Sequence, residues 1–308
     1  MATTQSRERL AQARPWGAQD GLLRRVVASG ARLLRGMESA APAAGAPAPL
    51  LPPPSAAEPA PPDPAIARAA WADRLWGEGM AMPGGAEEVL RLAALLPLTP
   101  AHTMLLAGLG AQGAGAVVAG ARGCFVAAHD LRAAHPRRTL PKRVTAAAFT
   151  PEAPAFRAAY HQHALLLEPF RQGGTPDGLL RATAAALRDG GEVVLLDLVA
   201  RGGDADARWL AAEGRRPPPL EAAMAAALER AGFRVHVVED AGARHHRTVL
   251  LGWASLLDAL RAEPVRPAPP AAAALVAEAE AWLLRLRLLR DGRLRLLRWH
   301  ASLVRRPP

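Results

Sequence analysis

The sequence of 308 residues is poor in several residue types, and each shortage excludes a class of protein or site. Cys124 is the only cysteine, so a disulfide framework and a cysteine-based zinc site are both excluded. No run of about 20 apolar residues occurs, which excludes a membrane-spanning helix. The N-terminus has no apolar core of the kind that a secretion signal needs, so we expect a cytoplasmic protein.

The formal net charge of +10 comes almost entirely from arginine, because Lys142 is the only lysine. Asparagine is absent and Ile66 is the only isoleucine, which indicates a compositional bias rather than selection for anion binding. Residues 265–308 carry nine arginines against three acidic residues, a net of +6. This basic tail is either a solvated arginine-rich face or a surface for a protein or phosphate-rich partner. No aromatic-plus-basic pattern of a nucleic-acid module is present, so nucleic acid is not an expected partner.

Three regions differ in composition. Residues 1–65 are predicted to be flexible, with a short amphipathic helix at about 19–37 and a linker at 41–64 that contains ten prolines. That helix either binds a partner or a membrane surface, or it docks weakly on the protein or frays. Residues 66–263 form the predicted main domain, and residues 264–308 form a predicted basic helix–strand extension.

Strand and helix patterns alternate through the main domain. We predict helices at 65–76, 86–96, 113–120, 177–188 and 220–231, and strands at 102–107, 123–128, 144–149, 161–167, 192–199, 233–239 and 248–254. This order is typical of an α/β, doubly wound and mostly parallel sheet, and the short loop before 248–254 predicts that the last two strands pair antiparallel. A helix at 271–290 and a strand at 294–300 follow, although a hairpin about Asp291 and Gly292 is the alternative.

A glycine-rich turn joins the first strand to a helix of small residues. Residues 104–115 read MLLAGLGAQGAG, and Asp130 follows at the end of the next strand. Glycines let a ligand approach the backbone, and an acid in that place can accept both ribose hydroxyls of a nucleoside. The alternatives are a packing turn without a ligand and a nicotinamide site, since Gly108, Gly110 and Gly113 fit the G-x-G-x-x-G spacing.

Three stretches resemble class I S-adenosylmethionine-dependent methyltransferases. They are RLWGEG at 74–79 with PGG at 83–85, the glycine turn with Asp130, and HALLLEPF at 163–170 with GGEVVLLD at 190–197. The similarity covers roughly residues 71–254. It implies a Rossmann-like, seven-stranded sheet with the last strand antiparallel, and methyl transfer from S-adenosylmethionine to a small-molecule acceptor.

The resemblance also implies which residues contact the methyl donor. The implied cofactor-binding residues are Gly108, Leu109, Gly110, Gly113, Asp130, Phe149 and Trp76. In this view Asp130 binds the ribose, Phe149 packs on the purine, and the segment that begins near Trp76 closes over the donor.

The turn departs from the family pattern at two positions. Leu106 stands where the family has an acid, and Gln112 stands where the third glycine belongs. The missing acid normally contacts the amino group of the donor, and such a charge-assisted contact contributes about 1.5–3 kcal/mol. We therefore predict a methyltransferase whose donor binding is weakened at this turn, and the alternative that the departures indicate is a non-catalytic, methyltransferase-like scaffold.

Two residues near the fourth strand are candidates for catalysis. Glu168 follows that strand and can orient an amine or hydroxyl, or it is a solvated acid at the strand end. His163 can act as a base, or it is a core histidine. We predict no metal site.

Overall fold

The computed structural model describes Gly21 and residues 64–132, 139–202 and 205–304. Most of the predicted helix at 19–37 and of the proline-rich linker lies outside these residues. The described part contains seven strands and eight helices longer than one turn. The helices are α1 (Pro64–Trp76), α2 (Gly85–Ala93), α3 (Ala111–Arg122), α4 (Pro176–Ala186), α5 (Ala207–Glu213), α6 (Glu221–Arg230), α7 (Gly242–Ala262) and α8 (Pro269–Arg290).

The seven strands form one sheet in the order β3-β2-β1-β4-β5-β7-β6. They are β1 (Thr103–Gly108), β2 (Phe125–Asp130), β3 (Val144–Ala148), β4 (His161–Leu167), β5 (Leu187–Ala200), β6 (Phe233–Asp240) and β7 (Leu294–Leu303). Strands β1 to β5 pair parallel, and β7 pairs antiparallel with both β5 and β6. The predicted α/β, Rossmann-like sheet of seven strands with the last strand antiparallel is therefore confirmed.

The strand predicted at 248–254 is wrong, because these residues lie within helix α7. The buried residues of this helix include His245, Val249, Trp253 and Leu256, whose spacings of four, four and three are helical. A short apolar run fits a strand and a buried helix equally well, so its own pattern could not decide between them. The expected antiparallel pairing of 233–239 with 248–254 fails for the same reason.

The residues after 263 belong to the sheet. Strand β7 lies between β5 and β6, and Leu195 of β5 pairs with Trp299 while Val238 of β6 pairs with the same tryptophan. The helix and strand predicted at 271–290 and 294–300 are present as α8 and β7. They therefore complete the main domain, whereas the sequence boundaries place them in an extension at 264–308.

The two faces of the sheet carry two hydrophobic clusters. Side chains in β1 alternate between them, since Met104 and Leu106 join the cluster that holds residues of α1, α2, α3, α7 and α8. Leu105 and Ala107 join the cluster that holds residues of α4 and α6. Helices on both faces are what a parallel sheet requires, because it must be buried on each side.

Candidate functional site

The glycine turn lies at the carboxyl end of β1, where open parallel sheets bind ligands. Gly108 has a φ of +125°, and a Cβ there would lie 2.0 Å from the carbonyl oxygen of Leu167. Gly110 has a φ of +71° and precedes the first residue of α3. Both positions need glycine, the first for its close approach to β4 and the second for its left-handed backbone.

The carboxylate of Asp130 points at this turn and is bound there by main-chain amides. The N–H groups of Gly110 and Arg132 donate to Oδ1 at 3.1 and 2.9 Å, and the N–H of Gln112 donates to Oδ2 at 2.9 Å. Only 4% of the residue is exposed. Asp130 thus caps the N-terminus of α3, which is the place where an anionic or polar ligand group would otherwise bind.

The segment at residues 77–82 covers the turn from the other side. A Cβ on Gly113 would lie 2.3 Å from the carbonyl oxygen of Gly79, and a Cβ on Gly110 would lie 2.9 Å from the Cβ of Ala81. The guanidinium of Arg132 donates to the same Gly79 oxygen at 2.8 Å. Main chain of this segment therefore occupies the space directly above the glycines.

The remaining implied donor contacts are distributed around the turn. The N–H of Leu109 donates to the carbonyl of Leu167, and Leu106 is buried in the core. Phe149 donates its N–H to the main chain of Asp130, and its ring stacks on Phe156 at 5.9 Å. Phe149 is thus next to the acid but packed in the core.

Trp76 packs between helices in the hydrophobic core. It ends α1, and its ring meets Trp282 of α8 edge to face at 5.4 Å. A Cβ on Gly252 of α7 would lie 2.3 Å from its ring. This tryptophan joins three helices, so its position is explained by packing.

Glu168 at the end of β4 belongs to a buried charged cluster. We define this cluster as Glu168, Asp197, Glu213, Arg171, Arg215 and Arg285. The guanidinium of Arg285 donates to both oxygens of Glu168 at 2.7 and 3.1 Å and to both oxygens of Glu213 at 2.6 Å. Trp209 adds an indole N–H to Glu213 at 2.6 Å.

The arginines of the charged cluster set the protonation of its acids. Burial alone would raise the pKa of Glu168, but Arg285, Arg215 and Arg171 lower it to about 2. The same neighbours lower the pKa of Glu213. Burial raises the pKa of Asp197 to about 7, and Arg215 only partly offsets this effect. Glu168 is therefore an ionised partner of arginine at neutral pH and is poorly suited to accept a proton.

Backbone strain accompanies this arrangement. Glu168 has a φ of +39°, which is rare for a residue other than glycine. Its N–H donates to the carbonyl of Leu196 in β5 at 2.8 Å, which holds the residue beside the neighbouring strand. With this backbone conformation, the carboxylate of Glu168 lies within hydrogen-bond distance of Arg285 in α8.

His163 lies at the opposite end of the strands from the glycine turn. It pairs in register with Met104 and Glu192, near the amino ends of β1 and β4. Its ring lies 5.3 Å from that of His102, and burial lowers its pKa. The structure therefore does not bring His163 to the ligand end of the sheet, and its position agrees with the core-histidine alternative.

Sequence reasoning missed Arg132, Glu213 and Arg285. Arg285 carried a signal, since it lies three residues from both Trp282 and Leu288 on the buried face of α8. A charged residue at such a position needs a buried partner. Nothing in the sequence identified Glu168 and Glu213 as those partners.

Two negative observations concern the described residues alone. No described helix has the length and hydropathy to cross a lipid bilayer. The part of the chain that the structure describes also holds no group of three or more histidine, cysteine or acidic residues arranged to bind a metal ion.

No protein-family model matches the chain, and no curated protein matches it. Its fold is similar to that of several solved structures. The first is phosphoethanolamine N-methyltransferase 2 of Haemonchus contortus in complex with S-adenosyl-L-methionine, with a TM-score of 0.64 and 18% identity over 79% of this chain and 58% of that one. This chain thus spans little more than half of that protein.

Two further similar structures show that the shared fold hosts different activities. Geranyl diphosphate C-methyltransferase of Streptomyces coelicolor, solved with S-adenosyl-L-homocysteine, has a TM-score of 0.53 and 16% identity over 70% of this chain and 80% of that one. The [4+2]-cyclase SpnF has a TM-score of 0.52 and 20% identity over 71% and 80%. The fold is therefore that of class I methyltransferases, and the prediction of S-adenosylmethionine agrees with the ligands of the similar methyltransferases.

The geometry of the turn tests whether that donor fits this chain. The Asp130 carboxylate already accepts three amides, the Gly79 carbonyl lies against Gly113, and Leu106 offers no carboxylate. In the conformation described, these residues do not fit an adenosyl group at the turn.

Proposed function

We propose that this protein is a non-catalytic member of the methyltransferase fold, which acts as a binding scaffold. The observation that carries the proposal is the closed glycine turn, where Asp130 is bound by three main-chain amides beneath the carbonyl of Gly79. A ribose hydroxyl would compete with those amides, because the carboxylate has about four acceptor sites and three of them are already used. Each amide that a hydroxyl displaces is left buried without a partner, which costs about 1–3 kcal/mol and weakens binding about tenfold or more.

The charged cluster supports the same proposal from the acceptor side. Methyl transfer needs an acceptor atom that is aligned with the donor and, for many acceptors, relieved of a proton. Glu168 is the described acid that follows β4, and Arg285 binds both of its oxygens. An acceptor would compete with a buried arginine for this carboxylate.

Titration calorimetry tests the proposal. Purified full-length protein is titrated with S-adenosylhomocysteine to millimolar concentration, and we expect no heat of binding. A circular dichroism melt of the same sample confirms that the protein is folded. Saturable binding in the micromolar range would contradict the proposal.

A second candidate function is a methyltransferase whose donor site opens when residues 77–82 move. It is favoured by the way this segment is held, since the side chain of Arg132 reaches Gly79 and glycines with positive φ stand at 77, 79 and 84. The small-molecule acceptor and the implied donor contacts at Gly108, Gly110, Gly113 and Asp130 belong to this candidate.

Arg132→Met separates the two candidates. The substitution removes the side-chain contact to Gly79 but keeps the main-chain N–H that binds Asp130. If the segment is a gate, this variant binds S-adenosylhomocysteine and the unchanged protein does not. If the protein is a scaffold, both are silent. Arg143→Met is the matched control, because Arg143 also donates to main-chain carbonyls but lies away from the turn.

Three predictions concern the N-terminal helix, the basic tail and the cellular location. Contact with a protein through the N-terminal helix falls on residues outside those described. In the described part of the basic tail, Arg295 binds Glu221 and Asp240 while Arg298 binds Glu239, so these arginines are engaged within the protein. The cytoplasmic location stays a prediction.

A further inference from the structure

Strand β6 (Phe233–Asp240) forms one edge of the sheet. It pairs with β7 on one side, and no described strand pairs with it on the other. An unpaired edge presents free N–H and C=O groups to any strand that can align with it. Natural edge strands are usually short or carry charged and small residues, so a long apolar edge indicates a partner.

The residues of β6 are unusually apolar for an exposed edge. Val235, Val237 and Val238 are exposed to 38, 43 and 53%. The opposite edge, β3 (Val144–Ala148), has only five residues, and its exposed positions are threonine and alanine. Of the two edges, β6 therefore has the larger apolar surface to bury.

A β-bulge determines which side chains of β6 share a face. Val235 pairs with Ala301, Val237 with His300 and Val238 with Trp299, so His236 is an extra residue. Val235 and Val238 consequently point to the same face although they are three residues apart. In a regular strand they would point to opposite faces.

This bulge makes the strand complementary to a second copy of itself. When two β6 strands run antiparallel with Val235 opposite Val238 of the second copy, Arg234 lies opposite Glu239 and both members of each pair share a face. A twofold axis repeats each contact, which produces two valine pairs and two arginine–glutamate pairs. Moving the register by two residues places Val235 opposite Asp240 or Arg234 opposite Val237.

The charges support this register. No described residue lies within ion-pair distance of Arg234, whereas Glu239 accepts hydrogen bonds from Arg244 and Arg298 at 2.8 Å. These bonds hold the Glu239 carboxylate in one place on the strand. Opposite charges directly across an antiparallel pair stabilise it.

We infer that β6 is the contact surface of a homodimer, in which two copies join their sheets through antiparallel β6 strands with Val235 opposite Val238. Such an interface is isologous, because the same patch serves on both subunits. It is independent of the state of the glycine turn, which lies at the other half of the sheet.

The mass of the full-length chain in solution is the first test. We expect sedimentation equilibrium to give twice the chain mass of 32.4 kDa at high concentration and to shift toward the monomer on dilution. A monomer at every concentration overturns the inference. If the protein is a monomer and its β6 amides nevertheless resist hydrogen exchange, another segment of the same chain covers the edge, and this result also overturns the inference.

Disulfide trapping tests the register. Directly opposite residues in an antiparallel pair have Cα atoms about 4.5–5.5 Å apart, which suits a disulfide. The native Cys124 is buried and gives little background. An equimolar mixture of Val235→Cys and Val238→Cys should form a covalent dimer under mild oxidation, while neither variant does so alone.

Two controls complete the test. Thr145→Cys on β3 mixed with Val238→Cys should not cross-link, because β3 is an edge strand outside the proposed contact. Arg234→Glu places like charges opposite each other twice and should weaken the dimer about tenfold or more. Equal cross-linking in single variants and mixtures, or an unchanged dimer in Arg234→Glu, overturns the inference.

Discussion

At the residue scale, Arg285 explains why the acid after β4 is not a free base. Its guanidinium spans two carboxylates, Glu168 and Glu213, and all three side chains are buried. A buried charge is costly to desolvate, and only well-oriented partners repay that cost. The three groups therefore depend on one another, and the loss of one leaves the others buried with fewer partners.

Arg285→Met tests this dependence. The variant leaves Glu168 and Glu213 without their main partner, so we expect it to lower the free energy of unfolding by about 3–5 kcal/mol. Urea denaturation followed by circular dichroism measures the change. Arg287→Met on the same helix is the control, because that side chain is 69% exposed and should change stability by less than about 0.5 kcal/mol. Equal losses in the two variants would show that the acids find other partners.

His161 links stability to pH. It is buried at the start of β4, neither ring nitrogen has a hydrogen-bond partner among the described residues, and burial lowers its pKa to about 4. The unfolded chain takes up this proton near the ordinary pKa of about 6.5, while the folded protein resists it. The contribution of His161 is thus fully present above pH 6.5 and declines as the pH falls toward 4, by at most about 1.4 kcal/mol per unit.

His161→Phe removes this titration. We expect the stability of the variant relative to the unchanged protein to rise as the pH falls from about 7 to about 4. Urea midpoints at a series of pH values give the difference directly. Parallel pH profiles would mean that His161 is protonated as easily in the folded protein as in the unfolded chain.

At the scale of elements, the contact between α1 and α7 requires a glycine, which has no side chain, at position 252. Gly252 lies in α7 against the ring of Trp76, which ends α1. The neighbouring Leu251 is 62% exposed, whereas Gly252 lies on the side of α7 that contacts Trp76 of α1. The close packing of these helices is also why an apolar run that fits a strand is a helix here.

Gly252→Ala tests the helix contact. Alanine in a helix is ordinarily more stable than glycine by about 0.5–1 kcal/mol, but here its Cβ would lie 2.3 Å from the indole. We expect overpacking to dominate and to destabilise the protein by about 1–3 kcal/mol. Gly120→Ala in α3 is the control, since no atom lies within 4 Å of its Cβ position, and it should be neutral or stabilising. Thermal melts should therefore give a lower midpoint for Gly252→Ala and an unchanged or higher midpoint for Gly120→Ala.

At the scale of the whole molecule, the C-terminal residues close the sheet. Strand β7 supplies a partner on both sides, with β5 and with β6. Without it, β6 would have no neighbour and β5 would become an edge. The last strand in the chain is thus an interior strand in space.

Truncation tests whether cooperative folding requires β7. A chain that ends at residue 263 matches the predicted main domain, but it lacks α8 and β7, so we expect no cooperative unfolding transition. A chain that ends at residue 304 keeps every described element and should unfold like the full-length protein. A cooperative transition in the shorter chain, measured by urea denaturation, would show that β6 can rearrange onto β5.

Much of the architecture could be predicted because local patterns carry it. The strands β1 to β4, β6 and β7 and the helices α1 to α4, α6 and α8 each have a periodicity or a bounding glycine that predicts their ends within about three residues, whereas β5 begins earlier, at Leu187. Helix α7 could not be predicted in this way, since its run at 248–254 has no local feature that separates a buried helix from a strand.

The candidate site also has features that the sequence predicts and features that it does not. The sequence by itself determined the glycine turn, the acid that ends β2 and the presence of Leu106 in place of an acid, because these depend on which residues follow one another. Only the tertiary structure decided that Asp130 binds main-chain amides, that Gly79 covers Gly113 and that Arg285 holds Glu168. Those contacts join segments that are far apart in the chain, and whether a crevice is open or filled depends on how such segments pack.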